Sequence, residues 1–379
     1  MAETAIYDQI VAMAQEAGFS KAGIAPVPQP GESGPADFET YFEDWIERGY
    51  AGEMEYLKRR DQDNRLLRSS LRIAVPWARS VIVCAANYNA DAPRSLDPAP
   101  PETGWIARYA WTGYRSESSQ VPSPPSDYHD VLLARLKQLE HRLQQELGPF
   151  PSRCYVDTGP LVERVYALYA GIGWVGKNTC ILDQQLGSWF FLGVILTGLE
   201  LPARTVTLPA DHCGSCTRCI DACPTNALVA PYQMDASLCI AYLTIEKRGP
   251  IPELLRSQMG RQVFGCDICQ DVCPWNRRAP LSTDPELAVR PELVNPALTW
   301  LAELDADSFR SWFRHSPVQR TKLAGLLRNV AIAMGNSGLA GYMPKLREWA
   351  SAADPVLAEA AQWALARLST TETNPRNGL

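Results

Sequence analysis

The densest chemistry in this sequence lies between residues 206 and 280, which hold eight of the eleven cysteines. Cys213-Gly-Ser-Cys216-Thr-Arg-Cys219-Ile-Asp-Ala-Cys223-Pro224 has the C-x2-C-x2-C-x3-C-P spacing of bacterial ferredoxins. Three thiolates on a tight loop can grip three corners of one cubane. The fourth cysteine, at the start of a turn, points away and must ligate a different cluster. Its proline redirects the backbone and carries no N–H that would need a partner. A second cluster should therefore exist. Cys266-Asp-Ile-Cys269-Gln-Asp-Val-Cys273-Pro274 repeats the end of the motif one cysteine short, and Cys239 is the free candidate nearby. Crosswise pairing assigns Cys213, Cys216, Cys219 and Cys273 to cluster one, and Cys223, Cys239, Cys266 and Cys269 to cluster two. Every ligand position is filled and none of the eight is left over. Zinc ribbons use two separated C-x2-C knuckles and do not call for such a run. Two adjacent clusters make a one-electron relay, which by itself names no substrate. Cys84, Cys154 and Cys180 stand in apolar or strand-like contexts and read as small buried hydrophobes.

These groups need a frame. The chain of 379 residues has room for two or three domains, and 46% hydrophobic with 21% charged residues is ordinary for a globular protein. Residues 1 to about 60 read as helical, with a short strand at 22–25. Ser80 to Ala85, Cys154 to Val156 and Trp189 to Thr197 read as strands, Asp127 to Leu147 as an amphipathic helix and Leu161 to Ala170 as a shorter one. That alternation over 1–205 argues for an α/β domain. Residues 89–104 and 112–126, rich in Pro, Ser and Asp, read as surface loops. Residues 300–370 read as almost all helix, with Asp354-Pro355 starting one. The segment 328–334 resembles 359–365, the weak self-similarity of a HEAT-like repeat.

Bulk properties narrow the function classes. The N-terminal stretch lacks the basic and apolar regions of a signal peptide, and Trp189 to Leu196 is too short to span a bilayer. The expectation is a cytoplasmic protein that keeps its thiols reduced and has no membrane partner. A net charge of −6 argues against indiscriminate nucleic-acid binding but allows a local basic face. Arg310, Arg314, Arg320, Lys322 and Arg328 are expected within one helical stretch, and Arg277-Arg278 follow Trp275-Asn276. Positive charge beside aromatics suits phosphate contact and base stacking.

Longer motifs carry a resemblance. Val156-Asp157-Thr158-Gly159-Pro160 leads into Gly171-Ile-Gly-Trp174-Val-Gly-Lys177-Asn178-Thr179. Together with the Cys213 run, Tyr242-Leu-Thr-Ile-Glu246, Gly265-Cys266 through Trp275-Asn276, and Asp127-Tyr128-His129, the chain closely resembles the epoxyqueuosine reductases over nearly its whole length. The resemblance implies an α/β cobalamin-binding catalytic domain (1–205), a bacterial-ferredoxin-like domain with two 4Fe-4S clusters (206–290) and an all-α HEAT-like tRNA-binding domain (291–379). It implies an oxidoreductase that converts epoxyqueuosine to queuosine at the wobble position of tRNA, the last step of queuosine biosynthesis. The cofactors would be two 4Fe-4S clusters and cobalamin, with Asp157 as proton donor. Corrin contacts are expected from Arg65, Arg108, Asp157, Lys177, Asn178 and Ser188, with Gly173 and Gly176 letting the backbone pass close to a planar ligand. Contacts to tRNA are expected from Arg277, Arg314, Arg320 and Lys322. The partners would be tRNA with a queuosine-type wobble base and a low-potential electron donor, the protein itself acting as a monomer. Two departures stand out: the Pro/Ser-rich insertion between Trp111 and Asp127, and Val194 where an acid is expected.

The chemistry fits without the resemblance. Removing an epoxide oxygen takes two electrons and a proton source. Clusters deliver electrons singly, so a two-electron or radical-competent centre such as corrin cobalt belongs between them and the substrate. A carboxylic acid can protonate the developing alkoxide. Alternatively, Asp157 is a turn or N-cap residue before the 161–170 helix. Two other functions share the cysteine pattern: a cobalamin-dependent reductive dehalogenase, and a non-enzymatic ferredoxin-like carrier. An absorption spectrum separates carrier from enzyme by the corrin bands.

Overall fold

The strand Ser80–Asn87 is apolar at nearly every position, which only a sheet covered on both faces explains. The computed structural model, which describes residues 2–28, 37–112, 127–203 and 208–372, shows those two covers. In chain order the N-terminal elements are α1 (Ala2–Glu16), β1 (Lys21–Pro26), β2 (Ser80–Asn87), β3 (Trp105–Ile106), α2 (Tyr128–Leu147), β4 (Ser152–Tyr155), α3 (Glu163–Tyr169), β5 (Trp174–Val175), β6 (Ile181–Leu182) and β7 (Phe190–Thr197). The main sheet has the order β1-β2-β7-β4, and each pairing is antiparallel. Successive side chains of β2 point to opposite faces. Ile82, Cys84 and Ala86 pack under α1 and α2, with Leu132, Leu136 and Leu139. Val81, Val83 and Ala85 pack under α3, with Tyr166 and Ala167. Val194 sits in this second core, opposite Val83 and Tyr155, so the strand has no acid there.

Asp127 caps α2 by accepting from the His129 backbone N–H at 3.0 Å, as its residue type favours. The helix expected from Leu161 begins at Glu163 instead, because Leu161 is drawn into the core at 1% exposure. Residues 113–126 of the insertion lie outside the described residues.

Beyond the sheet come α4 (Arg218–Asp221), α5 (Ile240–Ile245), β8 (Gln262–Phe264), α6 (Ile268–Asp271), α7 (Ala306–Phe313), α8 (Lys322–Ser337), α9 (Met343–Trp349) and α10 (Pro355–Glu372). Asp354 accepts from the Val356 N–H at 2.9 Å at the start of α10. One apolar core joins Trp105, Ile106 and Trp111, the 240–264 segment and the C-terminal helices from Leu293 to Leu368. β3 pairs in parallel with β8, so an early strand lies beside the cysteine loops. Arg328 is buried here. It donates to the carbonyls of Leu243 at 2.7 Å and of Lys247 and Gly249 at 2.8 Å each. The basic stretch is therefore not one exposed helical face. It is broken between α7, a 3-10 turn at Pro317–Thr321 and α8, and Arg328 serves the core.

Candidate active site and cluster loops

The two cysteine runs fold alike. Short helices α4 and α6 each begin just before the second cysteine of a C-x-x-C step. Each is followed by a turn in which the next cysteine N–H returns to the chain, Cys223 to Ile220 O at 3.2 Å and Cys273 to Gln270 O at 3.1 Å. All eight thiols are free and partly buried. Their mutual repulsion sorts them. Burial, then the charges of Cys213 and Cys216, raises Cys219. Burial, then Cys213 and Cys219, pushes Cys273 up to about 11. Burial and then Cys223 raises Cys239, while burial and then Cys239, with Cys223 adding, drives Cys266 well up. Cys269 is raised first by a hydrogen bond with Cys180, then by burial and by Cys266 and Cys239. Cys273 thus feels the charges of Cys213 and Cys219, Cys239 and Cys266 that of Cys223, and Cys180 acts on Cys239, Cys269 and Cys273 alike. Thiols raised by burial and by one another are costly to ionise alone, and a bound metal replaces their protons. Among the described residues, no three His, Cys, Asp or Glu side chains gather tightly enough for a single metal ion. A cubane, several ångströms across, takes its thiolates around its corners.

The β5–β6 hairpin lies against both loops. Lys177 Nζ donates to Gly214 O at 2.5 Å and to Cys216 O at 3.0 Å. Asn178 donates to Cys269 O at 3.3 Å and accepts from the Cys180 N–H at 3.2 Å. Ser188 Oγ donates to Gln270 at 2.9 Å and accepts from Asn276 at 2.9 Å. These three were expected to contact a corrin; their polar side-chain atoms are instead spent on the cysteine loops. Gly173 and Gly176 serve the hairpin too, since a Cβ would meet Leu182 O at 2.0 Å and Leu182 Cδ1 at 2.1 Å respectively. Arg65 is exposed and pairs with Asp61 at 2.7 Å and Asp63 at 3.2 Å on its own loop. Arg108 is 4% exposed, donates to the carbonyls of Ala90, Ala92 and Pro93, and stacks on Trp111 and Trp189. It is a buried anchor and presents no free N–H at the surface. His212 lies within hydrogen-bond range of Gln184 at 2.6 Å and packs on Trp174 and Trp275.

Asp157 stands apart from this packed frame. It follows β4 and takes a left-handed backbone, φ 55°, so its side chain leaves the strand direction. The carboxylate is 70% exposed, with His129 Nε2 at 4.0 Å from Oδ2. His129 Nδ1 is 2.7 Å from Asp127 Oδ1, which fixes the ring. The ring stacks on Tyr128 at 4.0 Å, and Tyr128 stacks on Phe191 at 4.0 Å. Burial, then the charge of Asp157, raises the hydroxyls of Tyr109 and Tyr128 well above the usual range. Glu163 is raised to about 7 by burial first and by Asp157 second, and its Oε1 is buried with no hydrogen-bond partner. Asp157 does not cap α3: that position is Val162, which makes no side-chain cap bond. Read from the sequence, His129 was only part of the Asp127-Tyr128-His129 motif, and Glu163 was passed over. An acid two residues before His129 was the available signal; nothing local marks Glu163, since acids are common in first turns.

A cleft of ≈ 610 Å³ adjoins this face, lined by Asp127, Asp130, Arg310, Arg314, His315 and Gln319. Arg310 pairs with Asp307 at 2.9 Å and His315 with Asp130 at 3.0 Å, while Arg314 is exposed. Arg320 pairs with Glu246 at 2.5 Å and lies over the Tyr56 ring at 5.3 Å. Lys322 and Arg277 are exposed, Arg277 on the turn after Cys273.

Comparison with known proteins now decides the family. Residues 212–276 match the 4Fe-4S double cluster binding domain, and residues 68–158 match the epoxyqueuosine reductase QueG domain, DUF1730. An epoxyqueuosine reductase of Xanthomonas campestris pv. campestris is 37% identical over 367 residues, 95% of each chain. This chain belongs to the epoxyqueuosine reductase family. As a member it is an oxidoreductase with a double-cluster domain. The crystal structure of an epoxyqueuosine reductase with a tRNA-Tyr epoxyqueuosine-modified stem loop is similar at TM-score 0.79 and 28% identity, over 95% of this chain and 89% of that one. A Bacillus subtilis epoxyqueuosine reductase with its catalytic aspartate loop swung out of the active site is similar at TM-score 0.78 and 28% identity, over 95% and 90%. Among the described residues no helix is long and apolar enough to cross a membrane.

The two cofactor types fare differently against the geometry. Eight partly buried thiols in a double-cluster domain suit two cubanes. For cobalamin, Arg65, Arg108, Lys177, Asn178 and Ser188 all bond within the chain, and Arg108 Nε is buried without a partner. What suits it is Glu163 Oε1, a buried acceptor without a partner, of the kind a corrin amide N–H satisfies.

Proposed function

We propose that this protein reduces epoxyqueuosine to queuosine at the wobble position of tRNA. The observation that carries the reading is the double-cluster domain with its eight cysteines, matched over residues 212–276, in a chain of this family. Cys213, Cys216, Cys219 and Cys273 would hold one 4Fe-4S cluster, and Cys223, Cys239, Cys266 and Cys269 the other. Glu163 would accept a hydrogen bond from cobalamin. When bound, the clusters supply single electrons and cobalamin a cobalt centre that can act on a bond with two. The epoxide oxygen leaves as water, which consumes two electrons and two protons.

The residues of the chain supply the proton handling. Asp157, exposed on its left-handed turn, is the proton donor, and a neighbouring loop swing in a relative agrees with a carboxylate that can approach its substrate. His129, oriented by Asp127, sits where it can hold Asp157 in place or restore its proton. Arg314 and the adjoining cleft, with Arg320 and Lys322 beyond it, would meet tRNA phosphates, and Arg277 would do so beside the cluster loops. The decisive experiment is an assay of purified, anaerobically reconstituted protein on tRNA carrying epoxyqueuosine, supplied with cobalamin and a low-potential reductant. Queuosine in the digested tRNA is the expected result. Its absence from protein loaded with both cofactors overturns the reading.

A further inference from the structure

Beyond the cleft, two arginines from distant parts of the chain lie over one tyrosine ring. Tyr56 is on the short 3-10 turn Glu55–Leu57 and is 38% exposed, with its hydroxyl 3.3 Å from Met54 Sδ. The guanidinium carbon of Arg320 is 5.3 Å from the ring centroid and that of Arg68 is 5.5 Å. Both arginines stand on fixed backbone. Thr321, next to Arg320, is buried and donates to Thr244 O at 2.8 Å. Ser69, next to Arg68, is buried and donates to Leu66 O at 2.8 Å, and Leu66 is itself wholly buried. The two differ in what they bond. Arg320 Nε donates to Glu246, whereas the half-buried Arg68 guanidinium makes no hydrogen bond or ion pair among the described residues. Gln319, the residue before Arg320, lines the cleft with Asp127, and Asp127 holds His129, which is 4.0 Å from Asp157. The electrostatics agree with that placement: the Tyr56 hydroxyl is raised by burial first, with Glu246 and Asp157 adding and Arg320 and Arg68 opposing.

We propose that Arg68 is a phosphate-binding residue, held over Tyr56 so that it takes a backbone phosphodiester of the anticodon loop and steadies the wobble nucleotide beside Asp157. The proposal rests on the reading that tRNA is the substrate. A guanidinium over an aromatic face is attracted to the ring and keeps its in-plane N–H donors pointing outwards. Those donors match two phosphate oxygens at once. Glu246 neutralises Arg320, so Arg68 is the cation of the pair left for an anion from outside the chain. Arg68 touches no reacting atom and acts as a positioning residue.

The test measures binding of an anticodon stem-loop carrying epoxyqueuosine to anaerobically reconstituted wild type, Arg68→Gln and Arg68→Lys. Each phosphate of the loop is replaced in turn by a neutral methylphosphonate. Arg68→Gln should weaken binding of the all-phosphate RNA about tenfold, the worth of one charge-assisted hydrogen bond. It should also reduce the slope of log affinity against log salt by about 0.7, the value for one single-stranded contact. Arg68→Lys should keep the slope and recover part of the affinity, because it keeps the charge without the fork. One neutral linkage should weaken the wild type about tenfold as well and leave Arg68→Gln unmoved, since the two changes remove the same contact. Equal losses in wild type and Arg68→Gln at every linkage overturn the proposal. So does a loss of cobalamin affinity in Arg68→Gln with stem-loop binding unchanged, which would assign the guanidinium to the phosphodiester of the cofactor. Should Arg68→Gln fold poorly, Arg68→Lys takes its place in the scan: the loss at that one linkage should be smaller than in wild type, and equal losses at every linkage overturn the proposal. Wild type that binds the stem-loop but forms no queuosine counts against the functional reading alone.

Discussion

The cysteine region and the Asp157 face are built on opposite plans. Around the cysteines, Lys177, Asn178, Ser188 and Asn276 all spend their polar atoms on neighbouring loops. Around Asp157, the carboxylate is 70% exposed and Glu163 Oε1 has no partner at all. A buried acceptor without a partner costs roughly 1–3 kcal/mol, a cost that a bound donor removes. The first region satisfies its polar side chains from within. The second leaves an exposed carboxylate and an unpartnered acceptor. Electron relay needs fixed distances, whereas proton delivery to a large substrate needs an accessible group.

Asp157→Asn probes the second plan with the largest expected effect. Asparagine is nearly isosteric but donates no acid proton. Turnover should fall on the order of 100- to 10,000-fold, with iron content and tRNA affinity retained. Near-normal turnover in protein with both cofactors loaded would remove Asp157 from the chemistry. An N-cap role offers no refuge, because Val162 holds that position.

Cys239→Ala probes the first plan. Iron should drop from about eight to about four per chain, the content of one cubane, and the cluster on Cys213 should survive. Loss of both clusters with the helical circular dichroism intact would show that the crosswise sets are wrong.

A smaller effect separates the exposed basic residues from the buried one. Arg314→Glu should weaken tRNA binding and reduce the slope of log affinity against log salt by about one. Binding and slope equal to wild type would place the RNA elsewhere. Arg328 belongs to the core by its three carbonyl contacts and should be read by stability, not by salt.

The smallest expected effect is in pH. Burial raises Glu163 from 4.5 to about 7, so the folded state holds its proton more tightly than the unfolded chain. That contribution to stability is complete below the ordinary carboxyl pKa and is lost as pH rises through about 7. Glu163→Gln cannot ionise, so its melting temperature should decline less than wild type between about pH 5 and 8. Parallel declines would mean that Glu163 is an ordinary solvated carboxylate.

Much of the frame was legible because its signals are local. The runs 80–87 and 190–197 are continuous in apolar residues, Asp127 and Asp354 are acids just before helices, and the cysteine spacing repeats with its prolines. The hydrogen bonds of the hairpin were not legible. Lys177, Asn178 and Ser188 look like free donors in sequence, and only the docking of the hairpin on loops some 40 to 90 residues downstream consumes them. The same holds for Arg328, an arginine among arginines until α8 turns it inward.

The sequence by itself determined which thiols exist, how they are spaced, where most helices and strands run and which family the chain belongs to, because ligand spacing and hydrophobic period are properties of short segments. Tertiary structure alone decided that Asn178 joins Cys180 to Cys269, that Trp174 packs on His212 and Trp275, and that His129 stands 4.0 Å from Asp157. Those pairs lie on different elements. A donor's partner is set by where two surfaces meet, and no local pattern records that meeting.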